Sequence, residues 1–148
     1  MEKTLREGGF GRLMREWRTR RGMSQLQKAA ADKNATACTA AASEIYSRFH
    51  AIFYLGTVSD LNEALKAAQA GSLDNARTAI ADGFALYRSI QPQVAKADPE
   101  ADKTIVAYYQ SDPSRLSAAL RDSALAALNR TASALLLKQS DLVSAVNF

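Results

Sequence analysis

A chain of 148 residues has the length of one domain, or of one domain with a short appendage, and can bury an apolar core without staples. Its composition, 47% apolar and 23% charged, excludes a wholly disordered chain, and its single cysteine, Cys38, excludes a disulfide framework and a thiolate zinc cluster. The net charge of +4 is unevenly placed: residues 1–33 carry nine Lys and Arg against four acids, whereas residues 34–148 carry ten bases and eleven acids. The basic character belongs to the leading fifth of the chain. Such a segment suits phosphates, anionic lipid or an acidic partner surface, with a solvated arginine-rich helix face as the plain structural alternative.

No apolar run approaches the roughly 18 residues of a membrane span; Ala51 to Leu55 stops at five. The leading arginines are not followed by the apolar stretch of roughly 7–15 residues that an export signal needs. Ala35-Thr36-Ala37-Cys38 has the outline of a lipoprotein cleavage site, but Gln27, Lys28, Asp32, Lys33 and Asn34 precede it. The expectation is a cytoplasmic protein in which Cys38 is a small reduced side chain.

Helix signals then run the length of the chain. About a fifth of the residues are alanine, and Leu, Arg, Lys, Gln and Glu supply much of the rest. Phe10, Leu13, Met14 and Trp17 recur at helical spacing, and Gly22 reads as the end of that helix. Ser24 with Gln27 is a capping-box pattern that opens a second, short helix. A third is expected over about 37–55, with Ile45, Phe49, Ile52 and Phe53 on one side and Gly56 as its stop. Ser59 reads as the cap of a helix carrying Leu61, Ala64, Leu65 and Ala68, closed by Gly71. Ser72 opens the next, through Leu73, Ala76, Ile80, Phe84 and Tyr87 to a break at Pro92.

Asp98-Pro99 and Asp112-Pro113 each place an acceptor at the cap and proline at the first helical position, where its missing N–H costs nothing. They predict helices over about 99–110 and 113–138, the last carrying the stripe Leu116, Leu120, Ala124, Leu128, Ala132 and Leu135. Short connections favour antiparallel neighbours, and mixed Ala and Leu stripes let helix axes approach closely. The predicted fold is all-α: an antiparallel helical bundle over 35–148, preceded by a basic helical N-terminal segment over 1–34. Gly83 inside a helix costs about 1 kcal/mol relative to alanine, and either a close helix crossing offsets that or the helix kinks there. The stretch Leu61–Tyr87 has the look of a tetratricopeptide unit, but nothing repeats at the period of about 34 residues.

Residues 10–26, FGRLMREWRTRRGMSQL, resemble the start of Cro/XRE-type helix-turn-helix regulators, with Gly11, Leu13, Arg15, Trp17, Arg18, Arg21, Gly22, Ser24 and Gln25 matching the pattern. The resemblance implies that the second and third helices form a DNA-reading unit with the third in the major groove, and that Gln25 helps seat the protein on the DNA backbone. Downstream the sequence departs from the pattern. Gln27 to Asn34 holds no glycine for the turn, and Ala37 to Ser47 is alanine-rich and lacks the closing Glu-x-Gly, Glu44 being followed by Ile45 and Tyr46. Thr36, Thr39 and Ser43 are the groove-facing candidates, and no Asn, Gln or Arg stands ready for bidentate base readout before Arg48. The contact set for nucleic acid or an acidic partner is Arg12, Arg15, Trp17, Arg18, Arg20, Arg21 and Gln25.

Other chemistry is thinly represented. His50, the one histidine, sits among Tyr46, Phe49, Phe53 and Tyr54. As a metal ligand it lacks a carboxylate one turn earlier, where Ser47 stands, and the chain has no Glu-x-x-His pair of the di-iron kind. It reads as a hydrogen-bonded histidine at a core edge. There is no nucleophile elbow and no glycine-rich phosphate loop. Asp98, Glu100, Asp102 and Asp112 gather at two helix starts, where they complement the helix dipole rather than form an acid–base or calcium site. Of Tyr108 and Tyr109, one is expected in the core and the other near its edge.

The stretch Leu61–Leu142 is also similar to helical domains linked to bacterial iron uptake, in the run Tyr87…Pro92…Ala97-Asp98-Pro99 before a long Ala/Leu helix; the iron-binding Arg-Glu-x-x-Glu pattern of the permeases is missing. The leading expectation is a non-enzymatic helical bundle acting in protein–protein interaction, self-association or ligand-responsive scaffolding, with no cofactor and no metal. A DNA-binding regulator whose bundle dimerises or senses a ligand comes second, and an iron-handling helical domain third.

Overall fold

A computed structural model describes residues 21–137 and Leu142. Among them are six α-helices and no strand: α1 Arg21–Ala31, α2 Ala35–Gln69, α3 Leu73–Arg88, α4 Gln91–Ala97, α5 Pro99–Tyr109 and α6 Ala118–Arg130, with a 3₁₀ turn at Pro113–Arg115. The expected all-α class holds, and the helices pack as a bundle, α5 against α3, α4 and α6. The chain forms two compact units that part between Ile52 and Phe53, inside α2 and well past the charge boundary near residue 34.

Two of the expected stops are helix interior. α1 runs through Gly22 and Ser24, so Ser24 is not a cap; one glycine costs a helix only about 1 kcal/mol, and the good formers from Gln25 to Ala31 outweigh it. α2 likewise runs through Gly56 and Ser59. Gly56 is there for space: a Cβ on it would lie 2.6 Å from Cδ1 of Leu86 on α3. Gly71, at φ +75°, does end α2 in the left-handed conformation that glycine adopts freely.

Proline works as expected at Pro99, where the Asp98 carboxylate accepts from the N–H groups of Glu100 and Ala101. Pro92 does more than break α3: it sits in the first turn of the additional helix α4. Pro113 does less than expected. Asp112 caps only the 3₁₀ turn, Leu116 is extended, and Ser117 makes the new start of α6, its Oγ accepting from Leu120 N at 3.3 Å. α6 ends at Arg130 rather than near residue 138. The buried Thr131 hydroxyl donates to the Leu128 carbonyl at 2.9 Å, and tight turns follow up to Leu136 at φ +57°. Of the predicted stripe, Ala124, Leu128, Ala132 and Leu135 are buried, while Leu120 is exposed.

The core of the second unit is built around four buried tyrosines, Tyr54, Tyr87, Tyr108 and Tyr109, packed with Val58, Leu61, Ile90, Ile105, Leu125 and Leu128 among others. Each hydroxyl has a partner. Tyr108 and Tyr109 donate to the α2 carbonyls of Leu61 (2.7 Å) and Thr57 (3.0 Å), Tyr54 to Asn129 (2.6 Å) and Tyr87 to the Asp102 carboxylate (2.7 Å). A helical carbonyl engaged by its own ladder keeps a second lone pair, which is what Tyr108 and Tyr109 use. The expectation that one of this adjacent pair lies at the core edge is therefore corrected: both are inside, their rings edge to face at 5.5 Å.

Gly83 makes room for this arrangement. A Cβ on it would lie 2.7 Å from Asp60 Cβ on α2 and 2.7 Å from the Tyr109 ring on α5, so the close crossing and not a kink explains the glycine. Gly83→Ala is expected to destabilise in urea unfolding, because overpacking against two rigid groups, roughly 1–3 kcal/mol, outweighs the roughly 1 kcal/mol that alanine gains in helix propensity. Gly56→Ala, which meets only the rotatable end of Leu86, should cost less. A Gly83→Ala protein more stable than the parent would mean the crossing is loose.

Burial pushes the Tyr108 hydroxyl up to about 12. It raises Tyr87 and Tyr109 too, helped by the negative charges of Asp102 and Asp60 respectively. An unfolded tyrosine titrates near 10, so the stability held in these protonated hydroxyls is complete below about pH 10 and is lost as pH rises through the folded values. Alkaline titration should show the tyrosinate absorbance of three of the five tyrosines appearing together with the loss of helical circular dichroism. All five ionising near pH 10 in an intact helical protein would contradict the described core.

Candidate functional site

Residues 21–26, the end of the stretch read above as similar to the start of the Cro/XRE pattern, lie in α1, which a three-residue turn joins to the start of α2. The turn is a Schellman motif made without glycine. Asn34 N donates to the Ala29 carbonyl (2.9 Å) and Lys33 N to that of Ala30 (3.1 Å), with Lys33 itself in the left-handed region at φ 52°. Asn34 then serves the next helix as its cap, Oδ1 accepting from Ala37 N at 3.0 Å. Lys33 thus supplies the pivot for which the sequence offers no glycine, and neither role was visible in the residue pattern.

Between α1 and α2 lies an open groove of about 370 Å³. Four alanines, Ala29, Ala37, Ala40 and Ala41, line it together with Gln25, Lys28, Asp32, Asn34 and Glu44. Small side chains on both helices are what leave the space.

Of the sequence-predicted contact residues, Gln25 is exposed on α1 and borders this groove. Arg12, Arg15, Trp17, Arg18 and Arg20 lie outside the described residues, as does the side chain of Arg21, whose backbone opens α1. Thr36, Thr39 and Ser43 are exposed on α2, and the Thr39 hydroxyl donates back to the Ala35 carbonyl at 3.0 Å. Arg48, the first residue suited to bidentate base readout, is ion-paired with Glu44 one turn earlier. His50 is half-buried and stacks on Tyr46, with ring centroids 6.3 Å apart and planes 30° from parallel.

Asp98, Glu100, Asp102 and Asp112 serve the architecture of the second unit. Asp98 is held below the usual carboxylate range by the Ala101 N–H first, then by Arg130, whose Nε donates at 3.3 Å, and by the Glu100 N–H. The hydroxyl and the N–H of Ser114 lower Asp112 in the same way, with Arg115 and Arg77 adding positive charge. Glu100 pairs with Lys103 at 2.7 Å. Asp102 does more than complement a dipole: it accepts from Tyr87 and from Gln91 Nε2 (2.8 Å), joining α3, α4 and α5. Among the described residues no group of three or more His, Cys, Asp or Glu is placed to hold a metal ion.

Comparison with protein-family models, curated proteins and solved structures found no match to this chain. The α1–α2 corner is testable directly. Asn34→Ala removes the cap oxygen, a change worth about 1 kcal/mol, and amide exchange at Ala37 should quicken roughly fivefold, whereas Asn34→Asp should retain most of the protection. Equal exchange in all three proteins would show that the cap is not formed.

Proposed function

We propose that the chain is a non-enzymatic binding module of the cytoplasm, a helical bundle that engages a protein partner or responds to a ligand as a scaffold. The basic leading segment and the α1–α2 corner are its contact elements. The observation that carries this reading is the groove of about 370 Å³ at that corner, a size within the range of small-ligand and anchor-residue pockets and lined by apolar alanines and side chains of both charges. In the second unit the hydroxyls of the four buried tyrosines and the carboxylates of Asp98, Asp102 and Asp112 are engaged in internal hydrogen bonds.

Affinity capture with the full chain, compared with Ala40→Glu in the groove and with Arg12, Arg15 and Arg18 changed together to Glu, tests the proposal. Ala40 is exposed, so its substitution should leave the fold intact. A partner retained by the parent and lost from both variants is the expected result. The same proteins retained by all three would remove the proposed contact elements.

One observation favours a second reading, a DNA-binding regulator: two helices joined by a three-residue turn, the first of which, Arg21–Ala31, overlaps the end of the stretch that resembles the Cro/XRE pattern. Each phosphate neutralised on duplex DNA contributes about −0.9 to the slope of log affinity on log salt. A regulator using the Arg-rich segment should therefore weaken steeply between two salt concentrations. Binding no tighter than millimolar at low salt would exclude this second reading and leave the first in place.

A further inference from the structure

We draw no further inference here: the strongest candidate, the groove at the corner of α1 and α2 with Lys28, Asp32 and Glu44 along it, belongs to the site already described, and nothing in the structure shows what covers it.

Discussion

A phenol hydroxyl carried into an apolar interior without a partner costs about 1–3 kcal/mol, and the second unit places four tyrosines inside one core. The bundle is arranged so that none of their hydroxyls lacks a partner. Two of the acceptors are backbone carbonyls of α2, which ties α5 to the long helix at fixed heights, Tyr109 opposite Thr57 and Tyr108 opposite Leu61, four residues or about one turn apart. Such bonds set register in a way that apolar packing alone does not, because a slide of one helix along the other would separate every donor from its acceptor.

The glycines follow from that constraint. With Tyr109 buried between α2 and α3, its ring and hydroxyl occupy the volume a side chain at position 83 would need. Gly83 is thus the complement of a tyrosine 26 residues further along the sequence, roughly 90 Å away in a fully extended chain, but adjacent in space. Asp102 completes the frame from the other end, drawing Tyr87 of α3 and Gln91 of α4 onto α5. The hydroxyls of Tyr87, Tyr108 and Tyr109 and the Asp102 carboxylate thus hold neighbouring helices together.

At that corner the physical logic is local. Lys33 accepts a left-handed backbone, and Asn34 closes one helix with its N–H while opening the next with its side chain. Two roles on one residue allow a turn of three residues between helices of very different length. The alanines around it then decide the surface, leaving a groove where larger side chains would have filled the angle.

Helical class, the Asp98-Pro99 start and the Gly71 stop were legible in the sequence, because each rests on the chemistry of one or two neighbouring residues, whereas Gly83 left a close crossing and a kink equally open until Asp60 and Tyr109 were packed against it. Of the candidate contact residues, read from the arginine-rich pattern and the family resemblance, Gln25 falls with its side chain among the described residues, exposed on α1. What the sequence could not disclose was which glycine ends a helix and which makes room for a neighbour, since Gly56 and Gly71 look alike until Leu86 is packed against the first and a positive φ is seen at the second. Nor could it place both Tyr108 and Tyr109 inside: a helical periodicity assigns faces by angle, whereas their burial depends on acceptors contributed by α2 some fifty residues earlier. Local propensity determined that the chain would be helical; tertiary hydrogen bonding and the volume of single side chains decided where the helices begin, end and touch.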